Sequence, residues 1–116
     1  MKPRVLFIVT GDPRTSPRPA EAVRIAAGVG AWQKADIAVY LQAEAALALG
    51  EPDGGLVDED GYAQFWPMLA ESNQPIYVQK NAPALNKLGP ATVPFAEITD
   101  AQLAELAAGQ TYVIRF

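Results

Sequence analysis

The chain has 116 residues, half of them hydrophobic, and a formal net charge of −4 from nine Lys/Arg and thirteen Asp/Glu. That length and composition suit one folded domain over residues 1–116, and the acidic balance (pI ≈ 4.6) argues against a nucleic-acid face or binding to an anionic membrane. Cysteine and histidine are both absent, which excludes disulfides, thiolate nucleophiles, Cys-based zinc sites, persulfide carriage and a Ser-His-Asp triad.

No charged leader runs into an apolar stretch, and no run approaches the roughly 20 apolar residues that span a bilayer. A soluble, cytoplasmic protein is expected. Without cysteine or histidine, a binding or structural role is expected ahead of catalysis, and neither a cofactor nor a metal is expected.

Val5 to Thr10 (VLFIVT) is a continuous apolar run, as in a strand buried on both faces of a parallel sheet. Gly11 to Arg18 follows as a turn, with Ser16 as N-cap and Pro17 at the first helical position. Pro19 to Ala31 reads as a helix with Val23, Ala26, Ala27 and Gly30 on one face, flanked by Ile25, Val29 and Trp32. Asp36 to Leu41 (DIAVYL) is a second strand, and Ala43 to Leu49 a short Ala-rich helix ended by Gly50. Glu51 to Gly61 is the one long loop, acidic, Gly-rich and mobile. Tyr62, Phe65, Trp66 and Leu69 repeat at helical spacing, with Pro67 predicting a kink or a late start.

Pro75 to Gln79 (PIYVQ) is a third strand, after which Asn81 is placed to cap a short helix with Pro83 in its first turn and Gly89 beyond its end. Val93 to Ile98 is a fourth strand, put at an edge by Pro94. Thr99 to Ala108 carries a capping box, Thr99 with Gln102, and stops at Gly109; Thr111 to Phe116 closes the chain as a fifth strand. The alternation β-α-β-α-α-β-α-β-α-β predicts an α/β fold with a mainly parallel sheet and helices on both faces.

Ligands of open α/β sheets bind outside the carboxyl ends of the strands. Three loops qualify. In the first, Gly11, Arg14 and Arg18 could hold an anion, although Pro13, Pro17 and Pro19 remove backbone donors and the spacing matches neither phosphate-loop motif. In the second, Gln79, Lys80 and Asn81 leave the third strand, as a ligand site or as a solvent-facing strand end. In the third, Asp58-Glu59-Asp60 lacks the ligand spacing of a calcium loop and reads as a helix start favoured by the macrodipole. The spaced aromatics Tyr62, Phe65 and Trp66 read as core, and the apolar surface around Trp32 and Trp66 suggests an oligomer.

The stretches "FIVTGDP", "ADIAVYLQAEAALALG" and "TYVIRF", with the Ala-rich helix between the first two, resemble the DsrE/DsrF/DsrH-like family, which includes TusD-type sulfur-relay subunits. The resemblance covers nearly the whole chain. It implies a single DsrE-like domain, a three-layer α/β/α sandwich with a five-stranded sheet, and assembly as a homo-oligomer or a hetero-oligomer with related subunits. In the DsrE and TusD branches a cysteine at the end of the third strand carries a persulfide, followed by a short Ala-rich helix and often Arg-Gly. Here Gln79 falls at the cysteine position and Lys87-Leu88-Gly89 near the Arg-Gly. Gln has no thiolate and takes up no sulfane sulfur. The implied function is a non-catalytic, oligomeric binding or accessory protein linked to sulfur metabolism. Two other readings stay open: a small anionic ligand or nucleotide held by Gly11, Arg14, Arg18 and the Gln79-Lys80-Asn81 turn, and an enzyme using Lys80 or Tyr62.

Overall fold

A computed structural model describes residues 2–51 and 54–116. Five strands, β1 (Arg4–Val9), β2 (Asp36–Leu41), β3 (Ile76–Gln79), β4 (Ala96–Ile98) and β5 (Tyr112–Arg115), form one sheet in the order β4-β3-β2-β1-β5. Every pairing is parallel. Three α-helices, α1 (Arg18–Ala31), α2 (Glu59–Glu71) and α3 (Asp100–Ala108), and two 3₁₀ segments, Ala43–Leu49 and Pro83–Asn86, connect them.

The two central strands show why continuous apolar runs were needed. Side chains alternate across a strand, and both faces of β1 and β2 are covered. Phe7, Val9, Ile37, Val39 and Leu41 pack with β3's Ile76 and Val78 beneath α1, α2 and the first 3₁₀ segment. Leu6, Ile8, Ala38 and Tyr40 face the other way, onto Leu103, Leu106 and Ala107 of α3. The first layer is thick, whereas the second is one nine-residue helix with no fully buried side chain.

Small residues set the spacing of the thick layer. Ala22, Ala26, Ala27 and Gly30 are buried on α1. A Cβ on Gly30 would stand 3.1 Å from the Gln74 side chain, and Gln74 Oε1 accepts from the Ile37 amide at 2.9 Å to start β2. Trp66 is buried on α2, and its indole N–H donates to the Ala48 carbonyl at 2.9 Å, pinning the first 3₁₀ segment to the helix. Pro67 lies inside α2, yet the helix starts early, at Glu59, instead of late. Pro67 and Ala63, whose carbonyl loses its helical donor, are both exposed, so the missing bond lies on the solvent-facing side of the helix.

Several local expectations are corrected. Ala43–Leu49 is 3₁₀ and not α-helical; seven residues carry too little periodicity to separate the two. Gly50 does end it, as expected, in the C-cap position with its N–H donated to the Leu47 carbonyl, on extended backbone at φ −69° and ψ 163°. It is small because a Cβ would meet the Leu88 carbonyl at 3.1 Å. Asn81 does not cap the second 3₁₀ segment, because Ala82 occupies the cap position and Asn81 sits at φ 63° in the turn before it. Ser16 does accept from the Arg18 amide at 3.2 Å, but Pro17 takes the N-cap position and the helix begins at Arg18.

β4 is only three residues long and lies at the sheet edge, with Val93 and Pro94 outside it. Residues 87–95 are therefore a second long irregular connection. The loop after Gly50 is tied where it is described: Gly54 and Leu56 amides donate to Glu59, and the Val57 amide donates to the Pro13 carbonyl at 2.8 Å. Pro52 and Asp53 of that loop lie outside the described residues. The Thr99–Gln102 capping box is present with both bonds, at 3.1 and 2.8 Å.

Two adjacent core aromatics carry opposite expectations. Tyr62 stacks on Trp66, and its hydroxyl is buried with no hydrogen-bond partner among the described residues. Tyr62→Phe removes an unpaired polar group and leaves stability unchanged or raised. Trp66→Phe strands the Ala48 carbonyl and opens a cavity, at a cost of about 2–4 kcal/mol. Urea unfolding of the two variants checks the contrast.

Candidate functional site

All five strands point their carboxyl ends at one edge of the sheet, and the six candidate residues from the sequence lie at that edge, Gln79 ending β3, Arg18 starting α1 and the other four on loops. The turn after β1 closes on itself. The Asp12 carbonyl accepts from the Thr15 and Ser16 amides at 3.1 and 3.0 Å, and the Asp12 carboxylate accepts from the Arg14 amide at 2.9 Å. With Pro13, Pro17 and Pro19 carrying no N–H, these backbone donors do not face a ligand. Gly11 serves packing, since a Cβ there would stand 3.2 Å from the Pro19 ring.

The two arginines of the turn diverge. Arg14 binds the Asp12 carboxylate through Nε and Nη2, the latter at 2.8 Å, and reaches Glu44 at 3.2 Å. The hydrogen bond from Arg14 holds the Asp12 carboxyl below the ordinary aspartate range, with a smaller electrostatic contribution from Lys87. Arg18 turns away and lies 5.5 Å over the Phe116 ring, a cation–π contact at the end of β5.

The second cluster is also engaged in structure. Gln79 ends β3, and its side-chain Oε1 accepts from the Ala43 amide at 2.9 Å. Ala43 has φ 52°, a conformation that L residues avoid, so this bond holds a strained exit from β2. The Lys80 amide donates to the Ile98 carbonyl at 2.9 Å, and the Asn81 amide makes a long contact, 3.5 Å, to Glu97. Arg14 and Gln79 thus meet indirectly, one on the carboxylate of Glu44 and the other on the amide of Ala43. Tyr62, the candidate phenol, is buried beside Trp66, and desolvation pushes it upward, away from ionisation at neutral pH.

Two concavities flank these residues. A cavity of about 240 Å³ places Arg14, Glu51 and Lys87 over Leu47, Leu56 and Leu88. Lys87 joins the site through the tertiary fold; its sole sequence signal was its place near the Arg-Gly position of the resemblance. A larger groove, about 760 Å³, runs between the starts of α1 and α2 and contains none of the six candidates. Among the described residues no group of three or more Asp, Glu, His or Cys side chains is placed to hold a metal ion, and no helix is long and apolar enough to cross a membrane.

Searches of family models and of curated proteins return no match. Among solved structures, the crystal structure of the ychN protein from E. coli superposes with a TM-score of 0.76 at 21% identity, over 100% of both chains. The fold is DsrE-like.

The Asp12–Arg14 pair makes the site acid-sensitive. A carboxyl whose folded pKa is depressed stabilises the fold above its unfolded pKa and loses that contribution as pH falls through the folded one. Wild-type stability therefore falls more steeply from about pH 5 downward than that of Asp12→Asn. Solvent screening keeps the difference small, because Arg14 is nearly half exposed. Urea midpoints measured across that range check the sign.

Proposed function

We propose that the chain is an oligomeric binding or accessory protein, a single DsrE-like domain working in the cytoplasm in connection with sulfur metabolism, that does not itself carry sulfur. Its assembly partners are copies of itself or related subunits. The observation behind this reading is Gln79. At the strand exit where the resembling family carries its cysteine, this chain has an amide side chain bound to the Ala43 backbone, and no thiol exists elsewhere in the sequence. The site is built to hold two strand exits together, and it offers no nucleophile for sulfane sulfur.

Incubation of the purified protein with a persulfide donor, followed by intact-mass measurement, yields no sulfur adduct, whereas Gln79→Cys acquires one. Turnover by the wild-type chain in a sulfur-transfer assay overturns the reading.

One observation favours a second reading, small-anion binding: Arg14 and Lys87 line the same cavity. Its volume of about 240 Å³ lies below the roughly 300–1,000 Å³ of typical ligand pockets, so a phosphate-sized anion suits it better than a nucleotide. Asp12 and Glu44 already neutralise Arg14, which leaves Lys87 as the main attraction. Thermal shift against phosphate, sulfate and nucleotides tests it. A stabilisation by inorganic anions that Lys87→Ala abolishes supports this reading, and no shift at millimolar ligand removes it.

A further inference from the structure

Among the described residues four large hydrophobic side chains are exposed: Trp32 (74%), Tyr112 (61%), Val113 (42%) and Ile114 (40%). Three of them are consecutive on β5, which pairs with β1 on one side and with no strand on the other. The opposite edge of the sheet is protected in the usual ways. β4 is three residues long, follows Pro94 closely and carries Glu97. β5 has no proline, no bulge and no charge until Arg115. An open, apolar edge of this kind is a template for another strand.

We propose that β5 is the interface between two copies of this chain, paired antiparallel about a two-fold axis at Val113, so that the two sheets become one of ten strands. This rests on the oligomeric part of the proposed function and assigns its contact surface.

The backbone selects the register. The Phe116 amide donates to the Ile8 carbonyl and the Phe116 carbonyl accepts from the Thr10 amide, both at 2.8 Å. Residue 116 therefore directs both backbone groups at β1. By alternation along a parallel strand, Tyr112 and Ile114 do the same, while Val113 and Arg115 turn theirs outward. A two-fold axis normal to the sheet keeps the α1 layer of both copies on one side and can pass through any residue of the strand. At Ile114 it would leave the two Arg115 only two strand positions apart, about 7 Å and inside the screening length, and at Tyr112 it would pair Val113 with Thr111. At Arg115 it would set two guanidinium groups opposite each other. At Thr111 the amide is already donated to the Arg4 carbonyl at 2.7 Å. At Val113 both copies' free groups exchange hydrogen bonds, and Arg115 lies beside the second copy's Thr111.

The side chains agree with that register. Val113 shares the α3 side with Leu6, and Tyr112 and Ile114 share the α1 side with Val5 and Phe7. Pairing at Val113 sets Tyr112 against the second copy's Ile114 and valine against valine, with no charge buried. The two Arg115 residues end up four strand positions apart, about 13 Å, beyond the screening length of about 8 Å. The exposed portions of Tyr112, Val113 and Ile114 amount to roughly 300 Å² per copy of the ~800 Å² that each partner contributes to a stable interface, the surface around the strand supplying the rest. A second copy is thus the occupant whose chemistry the edge itself supplies.

The chain contains no cysteine, so a single introduced thiol reports the register cleanly. Directly opposed residues of a hydrogen-bonded antiparallel pair have Cα atoms about 5.5 Å apart, within disulfide reach. Val113→Cys in the full chain cross-links to a dimer on mild oxidation, and Tyr112→Cys, off the axis, does not. By light scattering the wild type has an even multiple of the 12.4 kDa chain mass, and Val113→Lys halves it with an unchanged circular dichroism spectrum. Mixing Val113→Lys with Val113→Glu restores the dimer. A monomeric wild type overturns both this interface and the oligomeric reading. An oligomeric wild type whose Val113→Cys form fails to cross-link overturns the interface alone.

Discussion

A parallel strand has no face to spare for water. Its connections run over the sheet, and its side chains point to both sides, so each strand must be roofed twice. That constraint organises this molecule. β1 and β2 satisfy it fully, and every residue from Leu6 to Val9 and from Ile37 to Leu41 is buried. The roof is unequal, however. Two α-helices and a 3₁₀ segment cover one side, and α3 alone covers the other. A nine-residue helix spans about 13 Å and cannot shelter five strands. Neither roof reaches β5, all four of whose residues are exposed. The thin layer also lacks polar partners. The Tyr40 hydroxyl is buried there with none among the described residues, and burial pushes that phenol upward.

The carboxyl edge shows the same economy in polar form. Three of the side chains that the sequence offers for binding have a structural partner nearby: Asp12 for Arg14, the Phe116 ring for Arg18, the Ala43 amide for Gln79. The turn after β1 spends its amides on Asp12 and so presents no anion cradle. Lys87 reaches this region from the second irregular connection and shares a cavity with Arg14. The edge is therefore polar and cross-braced around Arg14 and Gln79.

Legibility in the sequence follows the range of the interaction that decides each feature. β2 agrees residue for residue with the apolar run Asp36 to Leu41, because burial on both faces leaves no alternative composition. The Thr99–Gln102 capping box is equally readable, being a contact between residues three apart. The edge position of the fourth strand follows from Pro94, but its length does not, since the ladder with β3 begins only at Ala96. The left-handed backbone of Asn81 and Ala43 is set by the strands that those turns join. The site was legible as a list of loops and illegible as a map. Arg14 and Glu44 are thirty residues apart, Gln79 and Ala43 thirty-six, and no local pattern announces either bond. Lys87 depends on tertiary folding in the same way.

Gln79 brings these strands of reasoning together. A strained Ala43 at the exit of β2 needs an acceptor for its amide, and the last residue of β3 stands beside it in the sheet. A thiol is a weak acceptor and a short side chain; it would leave the amide to water and its own sulfur exposed. A glutamine carbonyl reaches and binds at 2.9 Å. Gln79 is therefore a brace between the exits of two strands, and this single side chain gives that part of the edge a structural role.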